Sequence, residues 1–245
     1  MKLVELGNTR WKLADYTDRQ LTFLGHGIGL DDLLTVLEQN GGEQVLFASV
    51  ASAELNADLQ QRLTLANIPF MQVNTRRDYG EVVNSYHQYQ RLGVDRWLTL
   101  IAAHQQIKSH CAIIDVGTAV TFDLLHRDGR HLGGWIAPGL HTMQESLVAK
   151  SERIRARIDA PSIVFGQCTE DGLYLGCKAA IEGFIKQAYS TVSHTLTEPV
   201  SWLFTGGGLD GLDLSDIHNG QLRPHLVLEG LAVVAQDVPP GDSQL

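Results

Sequence analysis

The sequence predicts an α/β protein built from two related halves, and three observations carry that reading. Apolar strand-like runs alternate with amphipathic stretches of helical period. The strand pattern restarts at Cys111, just after a predicted helix that ends near Ile107. Two segments also share one plan, Val4-Glu5-Leu6-Gly7-Asn8-Thr9 and Ile114-Asp115-Val116-Gly117-Thr118-Ala119. Each is an apolar strand with an acid, one apolar residue, a Gly, and small residues that turn into a second strand. The restart sets the expected domains at 1–108 and 109–245.

The elements follow in order. Lys2–Leu6, Arg10–Tyr16 and Leu21–Leu24 read as three strands, the last closed by His26-Gly27. Asp31–Gln39 has the apolar spacing of a helix, with Gly41-Gly42 as its stop. Val45–Val50 is continuously apolar, as a strand buried on both faces would be. Glu54–Ala66 is helical, and Phe70–Val73 is a strand after Pro69. Residues 74–94 have no clean period, and a loop of that length in a folded domain is usually functional or mobile. Asp95 opens a helix to about Ile107, with the carboxylate at the N-cap position.

In the second half, Cys111–Val116, Val120–Leu125 and His131–Ile136 are strands. Helices are expected at Leu140–Lys150 and Thr169–Leu196. Trp202–Thr205 is a strand that runs into Gly206-Gly207-Gly208. Leu226–Leu228 reads as a short strand before a helix at Glu229–Ala235, and the tail Val238–Leu245 as frayed. His126 and His131 flank the turn Arg127-Asp128-Gly129-Arg130 and read as surface residues of a hairpin.

Composition narrows the class. The chain has 245 residues, enough for one large or two modest domains with a real core. Its 19 Lys and Arg against 28 Asp and Glu leave a formal charge of -9, which repels a phosphate backbone, so no nucleic-acid partner is expected. Mean hydropathy is -0.06, and no apolar run is long enough to span a membrane. The N-terminus reads as a strand, without the apolar core of a signal peptide. Three cysteines with no Cys-x-x-Cys fit a reducing compartment, and a cytoplasmic protein is expected.

The two acid–x–Gly turns carry the chemistry. Gly lets backbone N–H groups approach an anion, since no Cβ stands in the way. Asn8, Thr9, Thr118 and Thr121 add side-chain donors, and Arg10 and Lys12 lie just beyond the first turn. Glu5 and Asp115 could hold a cation that neutralises phosphate charge. A nucleoside triphosphate with a hard cation suits such turns. Asp95 could orient a substrate hydroxyl, and Arg96 could bind an anionic group. Neither a Walker loop nor a Gly-x-Gly-x-x-Gly dinucleotide fingerprint is present.

Taken together, these residues resemble the type III pantothenate kinases. The family's first phosphate motif, Asp-x-Gly-Asn-Ser/Thr with a basic residue downstream, is similar to Glu5-Leu6-Gly7-Asn8-Thr9-Arg10-Trp11-Lys12, with Glu in place of Asp. Its Gly-x-Asp-Arg motif is matched by Gly93-Val94-Asp95-Arg96, with a tyrosine seven residues earlier at Tyr86. Asp-x-Gly-Thr-Ala is matched by Asp115–Ala119, and Gly-Gly-x-Ile-x-Pro-Gly by Gly133–Gly139. Thr169 corresponds to a helix-opening threonine, though Cys168 stands where Asn often precedes it, and Thr205-Gly206-Gly207 to a C-terminal Thr-Gly-Gly.

The resemblance implies two RNase H-like domains of the actin-like ATPase kind with a nucleotide cleft between them. It implies phosphorylation of pantothenate by ATP, the first step toward coenzyme A. Asp95 is implied as the catalytic residue. Leu6, Gly7, Asn8, Thr9, Arg10, Trp11, Lys12, Thr118, Gly206 and Gly207 are implied to bind ATP. Tyr86, Gly93, Val94, Asp95, Arg96 and Thr169 are implied to bind pantothenate. Glu5 is implied to serve Mg²⁺, and Asp115 a monovalent cation, K⁺ or NH₄⁺. A homodimer is implied, with Thr169 offered to the partner's site and the Thr169–Leu196 helix at the interface. The rival expectations are another small-molecule kinase of the same superfamily, or a kinase-like regulator that binds ligand with little turnover.

Overall fold

The structure is a computed structural model that describes residues 1–41, 44–151 and 153–238. It divides into two units, one of Met1–Lys108, Asp128–His131 and the chain from His225, the other of Ser109–Arg127 and Leu132–Pro224. The expected second domain of 109–245 therefore differs at two places. The turn 128–131 and the last helix belong with the first unit.

The first unit is built on a five-stranded sheet. β1 (Lys2–Leu6), β2 (Trp11–Thr17), β3 (Gln20–Gly27), β4 (Val45–Ser49) and β5 (Phe70–Val73) lie in the order β3-β2-β1-β4-β5. β1 runs antiparallel to β2 and parallel to β4. Strand alternation then sorts the side chains. Val4 and Leu6 of β1, Leu13 of β2 and Phe47 of β4 face a core closed by α1 (Leu30–Gln39) and α2 (Ala53–Leu65), through Leu33, Leu37, Leu59 and Leu63. The start of α2 is held by Ser52, whose Oγ accepts the Leu55 N–H at 3.2 Å. Glu5 falls on the opposite face.

That opposite face meets α6 (Leu226–Ala235), which packs on β1, β2 and β4 and along α3 (Val94–Gln106). Leu226-Val227-Leu228, expected as a strand, is the first turn of α6. The run is buried all round, and a short apolar run in that setting has no period to read. The last strand lies earlier, at Gly220–Leu222. Two expectations, the helix stop at Gly42 and the tail beyond Val238, lie outside the described residues.

The second unit repeats the plan. β8 (His110–Val116), β9 (Ala119–Leu125), β10 (His131–Pro138), β11 (Val200–Thr205) and β12 (Gly220–Leu222) lie in the order β10-β9-β8-β11-β12. β8 is antiparallel to β9 and parallel to β11. Ala112, Ile114 and Val116 face the core, which takes Ile181, Ile185, Ala188 and Val192 from α5 (Thr169–Thr195). Asp115, like Glu5, points to the other face. α4 (Leu140–Val148) packs on α5 and stops two residues short of the expected Lys150. Between β5 and α3, the expected loop contains a small ladder of β6 (Asp78–Tyr79) and β7 (Val82–Val83), then a 3-10 turn at Tyr89–Arg91. No described helix is long and apolar enough to cross a membrane.

The α3–α6 contact is close enough to be tested. A Cβ at Gly230 would come less than 3.0 Å from the Leu98 carbonyl oxygen. Gly230→Ala is expected to cost about 1–3 kcal/mol by forcing the helices apart. It should lower the thermal midpoint by several degrees, whereas Gln236→Ala, an exposed change at the end of the same helix, should leave it nearly unchanged. Scanning calorimetry of the two variants checks this.

Candidate active site

Glu5 stands one residue before the end of β1. It is paired across the ladder with Lys12, and the Lys12 Nζ lies 3.2 Å from Oε2. Burial holds the Glu5 carboxyl above its ordinary 4.5, Lys12 opposes that rise, and the negative charge of Asp95 adds to it. Beyond Leu6 the chain turns through Gly7, whose N–H donates to the Arg10 carbonyl at 2.9 Å. Asn8, Thr9 and Arg10 are exposed. Leu6 and Trp11, also expected at the nucleotide, have their side chains in the core, so only their backbone is available to a ligand.

Asp95 lies in the first turn of α3. The N-cap is Gly93, so the expected capping role for Asp95 is not what the structure holds. The carboxylate sits at the second helical position, where Oδ1 accepts the Arg96 N–H at 2.7 Å. An acid in the first turn is favoured by the unpaired N–H groups there. Val94 and Arg96 are buried. The Arg96 Nη1 donates to the Tyr86 hydroxyl at 3.1 Å, and its guanidinium lies 5.8 Å from the Tyr86 ring centre. Tyr86 and Arg96, ten residues apart in sequence, thus meet directly.

Asn84 builds the loop that presents Tyr86, and the sequence reading missed it. The side chain is 1% exposed. Its Oδ1 accepts the Tyr86 N–H at 2.9 Å, and its Nδ2 donates to the carbonyls of Tyr89 at 3.2 Å and Arg76 at 3.4 Å. Arg77 adds a bond from Nη1 to the Tyr86 carbonyl at 3.1 Å. Nothing local in Val83-Asn84-Ser85 announces this, because an Asn in a loop is ordinary and only its burial is informative. His131, expected at the surface, is also buried. Residues 128–131 pack into the first unit, which a reading of local turn chemistry could not foresee.

In the second unit, Asp115 is registered to Thr121 on β9 and to Thr205 on β11. The following turn is one residue tighter than the first, with the Gly117 N–H donating to the Ala119 carbonyl at 2.8 Å. Gly117 and Thr118 are exposed. Two glycines press on this turn. A Cβ at Gly139, the N-cap of α4, would lie less than 3.0 Å from the Gly117 carbonyl oxygen, and one at Gly206 equally close to Asp115 Oδ1. Gly206 also has φ 93°, a region that favours glycine. The Gly139 N–H and the Thr142 hydroxyl both donate to the Thr118 carbonyl, at 2.9 and 2.7 Å. Gly207 is exposed with open space above its α-carbon. Thr169 is exposed at the first position of α5, after an N-cap Cys168.

Each unit therefore offers a Gly turn with exposed backbone beside a strand-end acid. The family model for type III pantothenate kinases matches residues 3–191. The chain belongs to that family. It is 34% identical over 244 residues to a type III pantothenate kinase of Pseudomonas aeruginosa, covering 94% of this chain and 96% of that one. It is 33% identical to one from Marinomonas, covering 86% and 84%. A Campylobacter jejuni structure described under the Baf family of transcriptional activators has a TM-score of 0.59 at 20% identity, covering 97% of this chain and 98% of that one. The Clostridium difficile activator of 2-hydroxyisocaproyl-CoA dehydratase gives 0.53 at 11%, covering 97% and 94%. These two show the fold, that of the actin-like ATPases. This kinase transfers phosphate from ATP to pantothenate, in coenzyme A biosynthesis.

Glu5 makes the stability of this kinase depend on pH in a defined direction. An acid whose pKa is raised on folding stabilises the fold at low pH, and that contribution is lost as pH rises from the unfolded value through the folded one. The unfolding free energy of the native chain, minus that of Glu5→Gln, should fall as pH rises above 4.5. Urea unfolding of both proteins from pH 4.5 to neutrality measures it, and a flat or rising difference would contradict the burial of this carboxyl.

Proposed function

We propose that Asp95 is the residue that prepares the pantothenate hydroxyl, and that Tyr86, Gly93, Val94 and Arg96 bind pantothenate around it. The observation that carries this is the first turn of α3, where a carboxylate, a buried guanidinium and its tyrosine partner occur together. One oxygen of Asp95 already accepts the Arg96 N–H, but a carboxylate offers about four acceptor positions, so it can also accept a hydroxyl. The hydroxyl oxygen bonds to the γ-phosphorus of ATP, the bond to the β–γ bridging oxygen breaks, and ADP leaves. The hydroxyl proton passes to the Asp95 carboxylate as the new bond forms. A carboxylate is a weak base toward an alcohol, so its main contribution is alignment. Arg96 supplies a charge suited to the pantothenate carboxylate, and Thr169, from a partner subunit, completes the enclosure.

The residues proposed to bind ATP are 6–12 through their backbone, Asn8, Thr9, Arg10 and Lys12 through their side chains, and Thr118, Gly206 and Gly207. Kinases of this family use ATP with Mg²⁺. Among the described residues no group of three or more His, Cys, Asp or Glu could cage a metal, which fits an ion held by one or two carboxylates and the phosphates. Glu5 fits that role, since its burial and the nearby Asp95 both oppose its charge and a cation would relieve both. Bound there, Mg²⁺ supplies neutralisation of phosphate charge. Asp115 is proposed to hold K⁺ or NH₄⁺. The Thr205 hydroxyl beside it is buried with no hydrogen-bond partner among the described residues, so the donor set is one of oxygens suited to a hard cation.

We also propose a cytoplasmic homodimer. On α5, the helix expected at the interface, Ile181 and Phe184 pack into the core of their own unit. The segment before α5 is the better candidate, because Ile158, Val164 and Phe165 are each at least 80% exposed.

The chemistry is tested with Asp95→Asn. Asn keeps the oxygen that accepts the Arg96 N–H, so folding survives. A coupled assay with pantothenate, ATP and potassium should show kcat lower by ~10²–10⁴, with nucleotide affinity unchanged. Full kcat in a folded variant would leave Asp95 as a part of the helix end alone.

A further inference from the structure

Tyr86 is held by a group that none of the kinase motifs contains. The His131 ring, 3% exposed, is stacked with the Tyr86 ring at a centroid distance of 6.1 Å and an interplanar angle of 19°. Its Nδ1 lies 3.1 Å from the hydroxyl of Ser85, the residue before Tyr86. The turn carrying His131 is tied to the same loop. The Val83 N–H donates to the Gly129 carbonyl at 2.9 Å, and Val83 bridges Arg130 in parallel pairing. Tyr86 is thus fixed in three ways. Asn84 and Arg77 hold its backbone, Arg96 holds its hydroxyl, and His131 backs its ring.

We infer that Ser85 and His131 form a positioning pair that orders Tyr86 before pantothenate arrives and so sets the affinity for that substrate. The inference rests on the proposed contact of Tyr86 with pantothenate. A loop tyrosine free to rotate would lose that freedom on binding, and the loss would weaken affinity. A ring already stacked and hydrogen-bonded in the free enzyme avoids this cost. His131 does not need to touch substrate to act in this way, and its effect should appear in binding rather than in the chemical step.

Two variants separate the contributions. Ser85→Ala removes the hydroxyl from an exposed position and leaves the fold intact. His131→Phe keeps a flat ring behind Tyr86 and removes the nitrogen that meets Ser85. Steady-state kinetics of each should show KM for pantothenate raised about three- to tenfold, the effect of one hydrogen bond, with kcat and KM for ATP unchanged. Since the pair acts as a unit, the double variant should match the single ones instead of multiplying them. Calorimetric titration of pantothenate into each protein should show the same loss. A purely structural role would lower the melting temperature and leave the pantothenate KM where it was, and that result overturns the inference. Tyr86→Ala is the control for the reading beneath it. If Tyr86→Ala raises the pantothenate KM and the pair variants do not, the positioning role alone is wrong. If Tyr86→Ala has no effect, the substrate role of Tyr86 falls and the inference falls with it.

Discussion

The placement of each strand-end acid depends on where its strand lies in its own sheet. β1 sits between an antiparallel and a parallel neighbour, and so does β8. Glu5 is therefore registered on both sides, to Lys12 and to Ala48, and Asp115 to Thr121 and Thr205. A slip of one residue would send either acid into an apolar core, because strand side chains alternate between faces. The apolar residues that flank each acid resist that slip. Val4 and Leu6, like Ile114 and Val116, fill the cores beneath the helices and hold the acids to the other face. One rule of alternation, applied twice, sets both carboxylates beside a Gly turn.

The loop that carries Tyr86 is organised differently. It has little regular structure, and its order comes from side chains that bond to backbone. Asn84 alone satisfies three backbone groups, those of Arg76, Tyr86 and Tyr89. Arg96 then joins this loop to the helix that carries Asp95. A buried polar centre of this type is sensitive to substitution, since each lost partner leaves a desolvated group behind. The Gly turns are exposed and leave backbone N–H groups open to the proposed nucleotide, whereas the Tyr86 loop keeps its shape through internal partners.

What can be read in the sequence follows from the range of the physics. The strands β1, β8 and β9, the helix α5 and the acid–x–Gly turns are local patterns of alternation and period, and they are legible to within a residue or two. The family motifs place Asp95, Tyr86 and Arg96 in one neighbourhood. Asp95 as an N-cap is two positions out, since Gly93 and Asp95 both stand at the helix start and only backbone geometry separates them. Leu226–Leu228 misleads because burial on all sides erases the period. His131 is invisible in the sequence because the turn 128–131 joins a unit built mainly from distant residues, and Asn84 because its three backbone partners are set by the folded shape of the loop and not by any local period. Thr205 is similar, since its hydroxyl, without a hydrogen-bond partner among the described residues, has meaning only beside Asp115.

The central proposal is that the Gly turns bind nucleotide and that the loop carrying Tyr86 binds pantothenate. Gly139→Ala tests it most directly. The added Cβ would come less than 3.0 Å from the Gly117 carbonyl oxygen and displace the second turn, while every residue of the Tyr86 loop keeps its identity. Titration of a non-hydrolysable ATP analogue and of pantothenate, separately, into the folded native and variant proteins measures the two sites. Nucleotide affinity is expected to fall about tenfold or more, equivalent to losing one or two hydrogen bonds, while pantothenate affinity is retained. Unchanged nucleotide binding in a folded Gly139→Ala protein would contradict the assignment of that turn to ATP.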